Sequence, residues 1–493
     1  MREHPTIKEF LVLAIVAIAG ILIHGYHPGV EDAEIYLPGI KKALNPSLYP
    51  RNDVFFMSHA RMTFFPKLIA ASVRFSHAPL DWALLIWQWL SIFLLLLACW
   101  HLGRLAFRNS IARWGGVLLL VSLLTLPVSG TALYIMDEYV TPRSLSTPAV
   151  LFIVINVIER RFVRASLWAA FTAMIHPLMV VFGAGYAVIY LGATCRLEKA
   201  AGSSAKRVLV SVGGLIPFGL FPPVTDAYRE ALKSRPYFFL LQWHWYEWLG
   251  IVGPLALFAW WKSVARRTHE FVLERLCAAS LVFGVLFFLA GLVITIPARL
   301  ANLAELQPMR SLHLLYIILL VLGGGLLAQF ALQSKLWRWV VLFAPLCAVM
   351  FLVQRQTFPN SAHLEFPWVQ SQNEWVRAFT WIRKNTPVDA YFALDPETMS
   401  LPGEDQHGFR AVAERSMLAD NVKDTGAVTM FPAMAQTWRE QVQAQAGWRG
   451  FAASDFRNLR RRFGVDWVVV PAPGIANFTC PLVGRTLAVC NVQ

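Results

Sequence analysis

Apolar runs of membrane length alternate with short polar connections over the first 353 residues, and then the pattern changes. A helix needs about 20 residues to cross about 30 Å of hydrocarbon. Eleven stretches fit or approach that length: 9–26, 82–103, 114–135, 144–158, 166–176, 178–193, 208–223, 249–262, 270–296, 311–332 and 336–353. The fifth and sixth meet at His176-Pro177, which reads as a turn between two spans or as a break within one. Beyond position 353 the sequence resembles that of a water-soluble domain. An amphipathic helix over 373–385 gathers Trp375, Phe379 and Ile382 on one face. A strand near 391–394, a polar stretch over 395–424, helices over 431–445 and 454–463, a buried strand over 465–470 and a hairpin over 478–490 follow. The expected architecture is a polytopic α-helical membrane body of about eleven transmembrane helices, residues 1–353, with a C-terminal α/β domain, residues 354–493.

Charge sets the orientation. Basic loops follow every even-numbered span: Arg104, Arg108 and Arg113; Arg160, Arg161 and Arg164; Arg196, Lys199, Lys206 and Arg207; Lys262, Arg266 and Arg267; Lys335 and Arg338. Such loops belong in the cytoplasm. The alternation is consistent only if His176-Pro177 is a turn between spans. It puts the N-terminus inside and the C-terminal domain outside, in a multi-pass protein of the cytoplasmic (inner) membrane. The first span is read as a retained helix, because no clear small-residue cleavage site follows it. A long first outer loop covers 27–81. Within it, 62–75 is too short and too charged to span and reads as a helix lying in the interface.

Composition supports the membrane reading: 56% of the 493 residues are hydrophobic and only 15% are charged. The net charge of +14 is spent on loops, with no basic face carrying stacking aromatics and no zinc-finger spacing. Nucleic acid is therefore excluded as a partner. Four cysteines lie in or beside apolar runs. Cys480 and Cys490 flank the hairpin turn near Gly484-Arg485, where the sulfurs would face each other across the ladder. Bridged, they would need an oxidising compartment; free, they are small hydrophobes.

Candidate chemistry gathers at span ends. Glu31, Asp32 and Glu34 follow the first span, where clustered carboxylates can act as a general base or as oxygen ligands for a hard cation. Burial would raise the pKa of one of them, as suits a base. The plain alternative is a set of solvated helix N-terminal acids. Asp137 and Glu138 follow the third span on the same side, as a second acidic wall or an interfacial anchor. Arg143 opens the fourth span against the helix dipole and so needs an anionic partner, Asp137 or a lipid phosphate. His176 is a candidate binding residue against a structural histidine. Trp243, His244 and Tyr246 belong to an aromatic belt whose faces could also stack on sugar rings. Arg299 and Arg310 are candidate phosphate clamps against snorkelling anchors. In the C-terminal domain, charges from Asp395 to Asp424 crowd one region, including His407, Arg410, Asp420 and Lys423; the default reading is a solvated loop network.

The stretches His27-Pro-Gly-Val-Glu-Asp-Ala-Glu-Ile-Tyr36, Asn45-Pro-Ser-Leu-Tyr-Pro50, Arg143-Ser-Leu-Ser-Thr-Pro148, Gln307-Pro-Met-Arg310 and Gly408-Phe-Arg-Ala-Val-Ala-Glu-Arg415 resemble a poorly characterised bacterial group within or near the GT-C superfamily of membrane glycosyltransferases. The layout resembles it too, with acids soon after the first span, a long first outer loop and a C-terminal outer domain. The resemblance implies transfer of a sugar, with inversion, from a polyprenyl-phosphate-linked donor at the extracytoplasmic face. It implies Asp32 or Glu31 as base or metal ligand, Asp137 and Glu138 as the second acidic position, and Arg310 on the donor phosphate. The first motif is Glu-Asp rather than the commoner Asp-Glu or Asp-X-Asp, so a divalent metal is an open cofactor that the sequence does not require. No Trp-Trp-Asp-type oligosaccharyltransferase signature is present. The implied partners are membrane lipid and a lipid-linked sugar donor, with the acceptor unspecified. Two other readings compete: a transporter or flippase of a lipid-linked or polar substrate, which predicts ionisable residues deep in the spans, and a non-catalytic membrane scaffold.

Overall fold

The computed structural model describes residues 5–200, 225–295 and 303–492, with backbone only over 195–200. Among the described residues, seven helices are long and apolar enough to cross a bilayer: Ile7–His24, Leu80–Ala106, Pro177–Thr194, Trp245–Arg267, Phe271–Thr295, Leu303–Leu332 and Leu336–Thr357. Three shorter apolar helices join them, Ser110–Val121, Pro142–Ile158 and Phe162–Ile175. The remaining stretch expected to span, 208–223, lies outside the described residues.

Three local expectations are corrected. The run over 114–135 is not one helix. The helix ends at Val121, and the chain then forms a small antiparallel hairpin of Pro127–Val128 with Leu133–Tyr134. Pro127 disfavours helix in the residue before it, and Gly130 takes φ +64 at the turn. The stretch 27–81, expected as a first outer loop with one interfacial helix, is not a loop. It folds into three helices, Ala33–Leu44, Val54–Met62 and Phe65–Ser76. Extended Thr63 caps the second, and Pro66 sits in the first turn of the third, where a proline is tolerated. The last membrane helix runs to Thr357, past the boundary expected at 353. At His176-Pro177 the chain does turn between two helices, Phe162–Ile175 and Pro177–Ala200.

Charged side chains collect at two opposite ends of the body. At one end Arg104 pairs with Glu159 at 2.6 Å and Arg266 with Glu274 at 2.9 Å. At the other end lie the loop after Ile7–His24, the hairpin, the His176 turn and the start of Trp245–Arg267. Hydrogen bonds tie these together: His27 N–H donates to the Glu138 carbonyl at 3.1 Å, and Ser129 Oγ donates to the Glu247 carbonyl at 3.0 Å.

The C-terminal domain holds a five-stranded sheet in the order Ser416–Met417, Tyr391–Ala393, Trp467–Pro471, Leu487–Asn491, Thr479–Val483. The first three strands are parallel and the last two antiparallel. A Cys480–Cys490 disulfide joins the final hairpin. The domain is fastened to the 27–81 segment rather than hung from a linker. Glu31 N–H donates to Gln406 O at 2.9 Å, Gly408 N–H to Gly29 O at 2.8 Å, and Tyr49 Oη to Arg410 O at 2.9 Å.

Within the body, the Ser110–Val121 and Leu312–Leu327 helices meet backbone to backbone. A Cβ on Gly115 would lie 2.3 Å from the Ala328 Cβ and 2.4 Å from the Gly324 carbonyl oxygen. Small residues permit this approach, and close packing is the main force between helices in lipid. Gly115→Leu is expected to separate the pair, at a cost of about 1–3 kcal/mol from overpacking. A lowered thermal unfolding midpoint in detergent would show it, whereas an unchanged midpoint would mean that the contact is not needed.

Candidate functional site

At the charged end facing the C-terminal domain lies a cavity of about 810 Å³. Glu31, Asp32, Asp137, Glu138 and Arg143 line it, with Arg310 and, from the C-terminal domain, Lys423. A smaller cavity of about 70 Å³ adjoins it and shares Asp32, Arg143, Arg310 and Lys423. The two acidic groups and Arg310, expected separately at three span ends, therefore border one space.

Arg143 is the centre of the arrangement. Its Nη1 and Nη2 each lie 3.2 Å from Asp32 Oδ2, and Nη2 lies 2.9 Å from Asp137 Oδ2. It projects from the first turn of Pro142–Ile158, whose start is fixed by Thr141 accepting from the Ser144 N–H and by Pro142 at the first position. Thr141 Oγ1 also donates to Asp137 Oδ2 at 3.1 Å. The other Asp32 oxygen, Oδ1, lies 3.2 Å from Lys423 Nζ, which also pairs with Glu31. Tyr139 Oη accepts from the Asp32 N–H at 2.9 Å. Glu31 adopts φ +52, a left-handed conformation uncommon outside glycine, and Gln307 just before Pro308-Met309-Arg310 adopts φ +44. Strained backbone of this kind persists where the surroundings over-determine it.

The acids differ in proton affinity. Burial opposes ionisation of Asp32, but Lys423, Arg143 and Arg310 outweigh it and hold its carboxyl well below the usual range. Asp32 is therefore a weak base, and the upward shift that burial is expected to give one member of this first acidic group falls on Glu34 instead. Asp137 is shifted upward, chiefly by burial, against the pull of Arg143. Glu138 is pushed up to about 8 by burial and by the neighbouring Asp137 and Glu31. Glu34 is also raised to about 8 by burial, but it faces away from the cavity. It accepts from the Arg410 and Ala411 N–H groups at 3.0 and 2.9 Å and from Arg410 Nη1 at 3.4 Å. Arg410 in turn grips Asp424 at 2.7 Å. The charges expected to form a solvated loop network in this domain are instead a buried one: Arg410, Asp420, Asp424 and His407 are all buried.

The remaining candidates are placed as follows. Tyr246 lines the cavity. Trp243 lies behind it; its ring fills the space where a Cβ on Gly130 would sit, at 2.4 Å, and its Nε1 donates to Tyr237 O at 3.1 Å. His244 caps the Trp245–Arg267 helix and stacks on Tyr246 at 5.3 Å. His176 lines neither cavity. Burial, with the nearby Arg143 and Arg310 charges, pushes it down to about 3, so its ring is neutral. Arg299 lies outside the described residues. Two charged cavity residues carry little local signal in the sequence: Lys423 is one lysine of a polar stretch, and Arg235 stands in Arg235-Pro-Tyr237, in the same connection as the aromatic belt. Arg235 and Arg310 line both cavities, and neither has a carboxylate in ion-pair contact among the described residues.

A hard cation would need several unengaged oxygens. Both Asp32 oxygens already face cationic partners, and no group of three or more His, Cys, Asp or Glu side chains among the described residues is arranged to hold a metal. As they stand, these acids suit guanidinium and ammonium partners rather than a metal ion.

No protein-family model matches the sequence, and no curated protein does. Among solved structures, the Archaeoglobus fulgidus oligosaccharyltransferase in complex with zinc and sulfate is similar at a TM-score of 0.41 and 12% identity, over 94% of this chain and 67% of that chain. Its apo form gives a TM-score of 0.40 and 14% identity over 94% and 69%. The oligosaccharyltransferase AglB of the same organism, in complex with an inhibitory peptide and a dolichol-phosphate, gives 0.36 and 12% over 94% and 69%. At these values the likeness carries no argument about the chemistry of this chain.

The raised carboxyl of Glu138 makes stability depend on pH. Unfolded, the group titrates near its ordinary value of 4.5; folded, near about 8. Its stabilising contribution is complete below the lower value and is lost as pH rises through the upper one. Thermal midpoints in detergent are expected to fall between about pH 5 and pH 8, and Glu138→Gln is expected to flatten part of that fall. Identical slopes for both proteins would refute the assignment.

Proposed function

We propose that the chain is a membrane glycosyltransferase of GT-C type, moving a sugar from a polyprenyl-phosphate-linked donor to an acceptor hydroxyl. In this reading, 1–353 form the transmembrane body of an inner-membrane protein. Residues 354–493 form its extracytoplasmic domain, with the N-terminus cytoplasmic. One observation carries the proposal. Carboxylates and guanidiniums from separate outer connections border a single cavity at the end of an apolar helical body.

The chemistry follows from the proton affinities and partners. The acceptor oxygen attacks the anomeric carbon on the face opposite the phosphate. The bond from that carbon to the phosphate oxygen breaks, and the lipid phosphate leaves as an anion. Arg310 and Arg235, without carboxylate partners among the described residues, are the side chains suited to receive that charge. Asp137 is the best base: its proton affinity is raised, and only its Oδ2 is engaged by Arg143 and Thr141. Asp32 stays ionised and holds Arg143 and Lys423 in place. Glu138 keeps its proton at neutral pH and can donate a hydrogen bond to a sugar hydroxyl. A transporter would draw on ionisable side chains through the thickness of the body; here the ion pairs lie at its two ends.

Purified protein in liposomes, given polyprenyl-phosphate hexoses and a hydroxyl acceptor extract, is expected to release polyprenyl phosphate. Asp137→Asn is expected to lower the rate by about 10²–10⁴-fold, the scale of a lost general base. Arg310→Ala should lower it by a comparable factor with the unfolding midpoint unchanged. Full turnover by both variants would defeat the proposal.

A further inference from the structure

A second cavity, of about 530 Å³, opens on the other side of the loop that carries the acids. Pro28 and Gly29 line this cavity, whereas Glu31 and Asp32 line the reaction cavity, so one short loop is the wall between them. The far wall is the helix Glu374–Asn385 of the C-terminal domain, which contributes Arg377, Arg383 and Lys384. Its membrane-side wall is formed by Leu37 and Leu84, the latter in the first turns of the Leu80–Ala106 membrane helix.

We propose that this second cavity seats the negatively charged head group of a membrane phospholipid. Three observations support the assignment. The first is depth. Trp82, at the start of the membrane helix, stacks on Trp368 at 5.0 Å, and Trp368 stacks on the cavity residue Phe366 at 4.6 Å. Trp82 and Trp368 are 43% and 59% exposed, an aromatic ledge of the kind that marks the head-group level of a bilayer. The second is charge. Lys41 and Arg383 share Glu414, at 2.7 and 3.3 Å, but Arg377 and Lys384 have no ion-pair partner among the described residues. Of the lining carboxylates, Glu365 is already neutralised. His27 Nδ1 and His407 Nε2 each lie 3.2 Å from it. The opposite nitrogen of His407 faces the Glu404 carbonyl at 2.9 Å, so both ring nitrogens meet acceptors and the ring is a cation. Asp81 is the one lining carboxylate without a cationic partner among the described residues, and the balance stays positive. The third is shape: a cationic wall stands over an aliphatic one, which fits a phosphate above the start of an acyl chain.

The full-length protein would be exchanged into detergent with phosphatidylglycerol or phosphatidylcholine, and retained lipid counted by native mass spectrometry. Phosphatidylglycerol is expected to be retained in preference. Arg377→Glu with Lys384→Glu, both at exposed positions, should weaken retention by roughly fivefold per cation removed. Thr380→Trp keeps the charges but fills the cavity, and should also abolish the preference. Arg310→Ala, in the reaction cavity, should leave it intact. Equal retention of the two lipids, retention surviving Thr380→Trp, loss through Arg310→Ala, or displacement of lipid by millimolar inorganic phosphate would each overturn the proposal. None of these readouts requires sugar transfer, so the test stands apart from the proposed reaction.

Discussion

Ionised carboxylates at the edge of a hydrocarbon slab cannot stand without cations, and the end of the helical body that faces the C-terminal domain is organised around that constraint. Removing an ion from water costs several kcal/mol even after the surroundings relax, unless a partner and hydrogen bonds compensate. Arg143 answers for Asp32 and Asp137 together, and Lys423 answers for Glu31 and Asp32. The first cation comes from a membrane helix and the second from the soluble domain. The acids therefore join the two halves of the chain through paired charges. Where the same device recurs, in Glu34 with Arg410 and Asp424, no cavity is present and the network serves only to join the two parts.

The same constraint sorts the acids by role. A carboxylate held between two cations is a fixed charge and a poor proton acceptor, which describes Asp32. One held by a single guanidinium keeps some basicity, which describes Asp137. One with acidic neighbours and no cation in contact keeps its proton, which describes Glu138. Three neighbouring groups of one chemical type thus acquire three behaviours from position alone, as active sites commonly arrange.

Much of the helical body was legible in the sequence, because membrane length and apolarity are strong, local signals. The hairpin after Val121 was hidden because Leu126, Val128, Leu133 and Ile135 are as apolar as a span. Of the three helices within 27–81, Ala33–Leu44 and Val54–Met62 were hidden because they pack against a domain more than 300 residues away in sequence, and the third packs against the first and against Leu80–Ala106. At the site, Asp32, Asp137, Arg143 and Arg310 stood out by lying at span ends. Lys423 could not be singled out, because nothing local separates one lysine in a polar stretch from its neighbours. Glu34 is the converse case: two residues from Asp32, it faces the other way and accepts from the first N–H groups of a short helix.

The pairing of Lys423 with Asp32 spans 391 positions of chain. At ribosomal speeds of about 5–20 residues per second, the acidic loop is made roughly 20–80 seconds before its ammonium partner. Until then, among the described residues, Asp32 has only Arg143 as a cationic partner, and Glu31 lacks its ammonium. The last-made lobe thus completes the charge balance of the first-made loop.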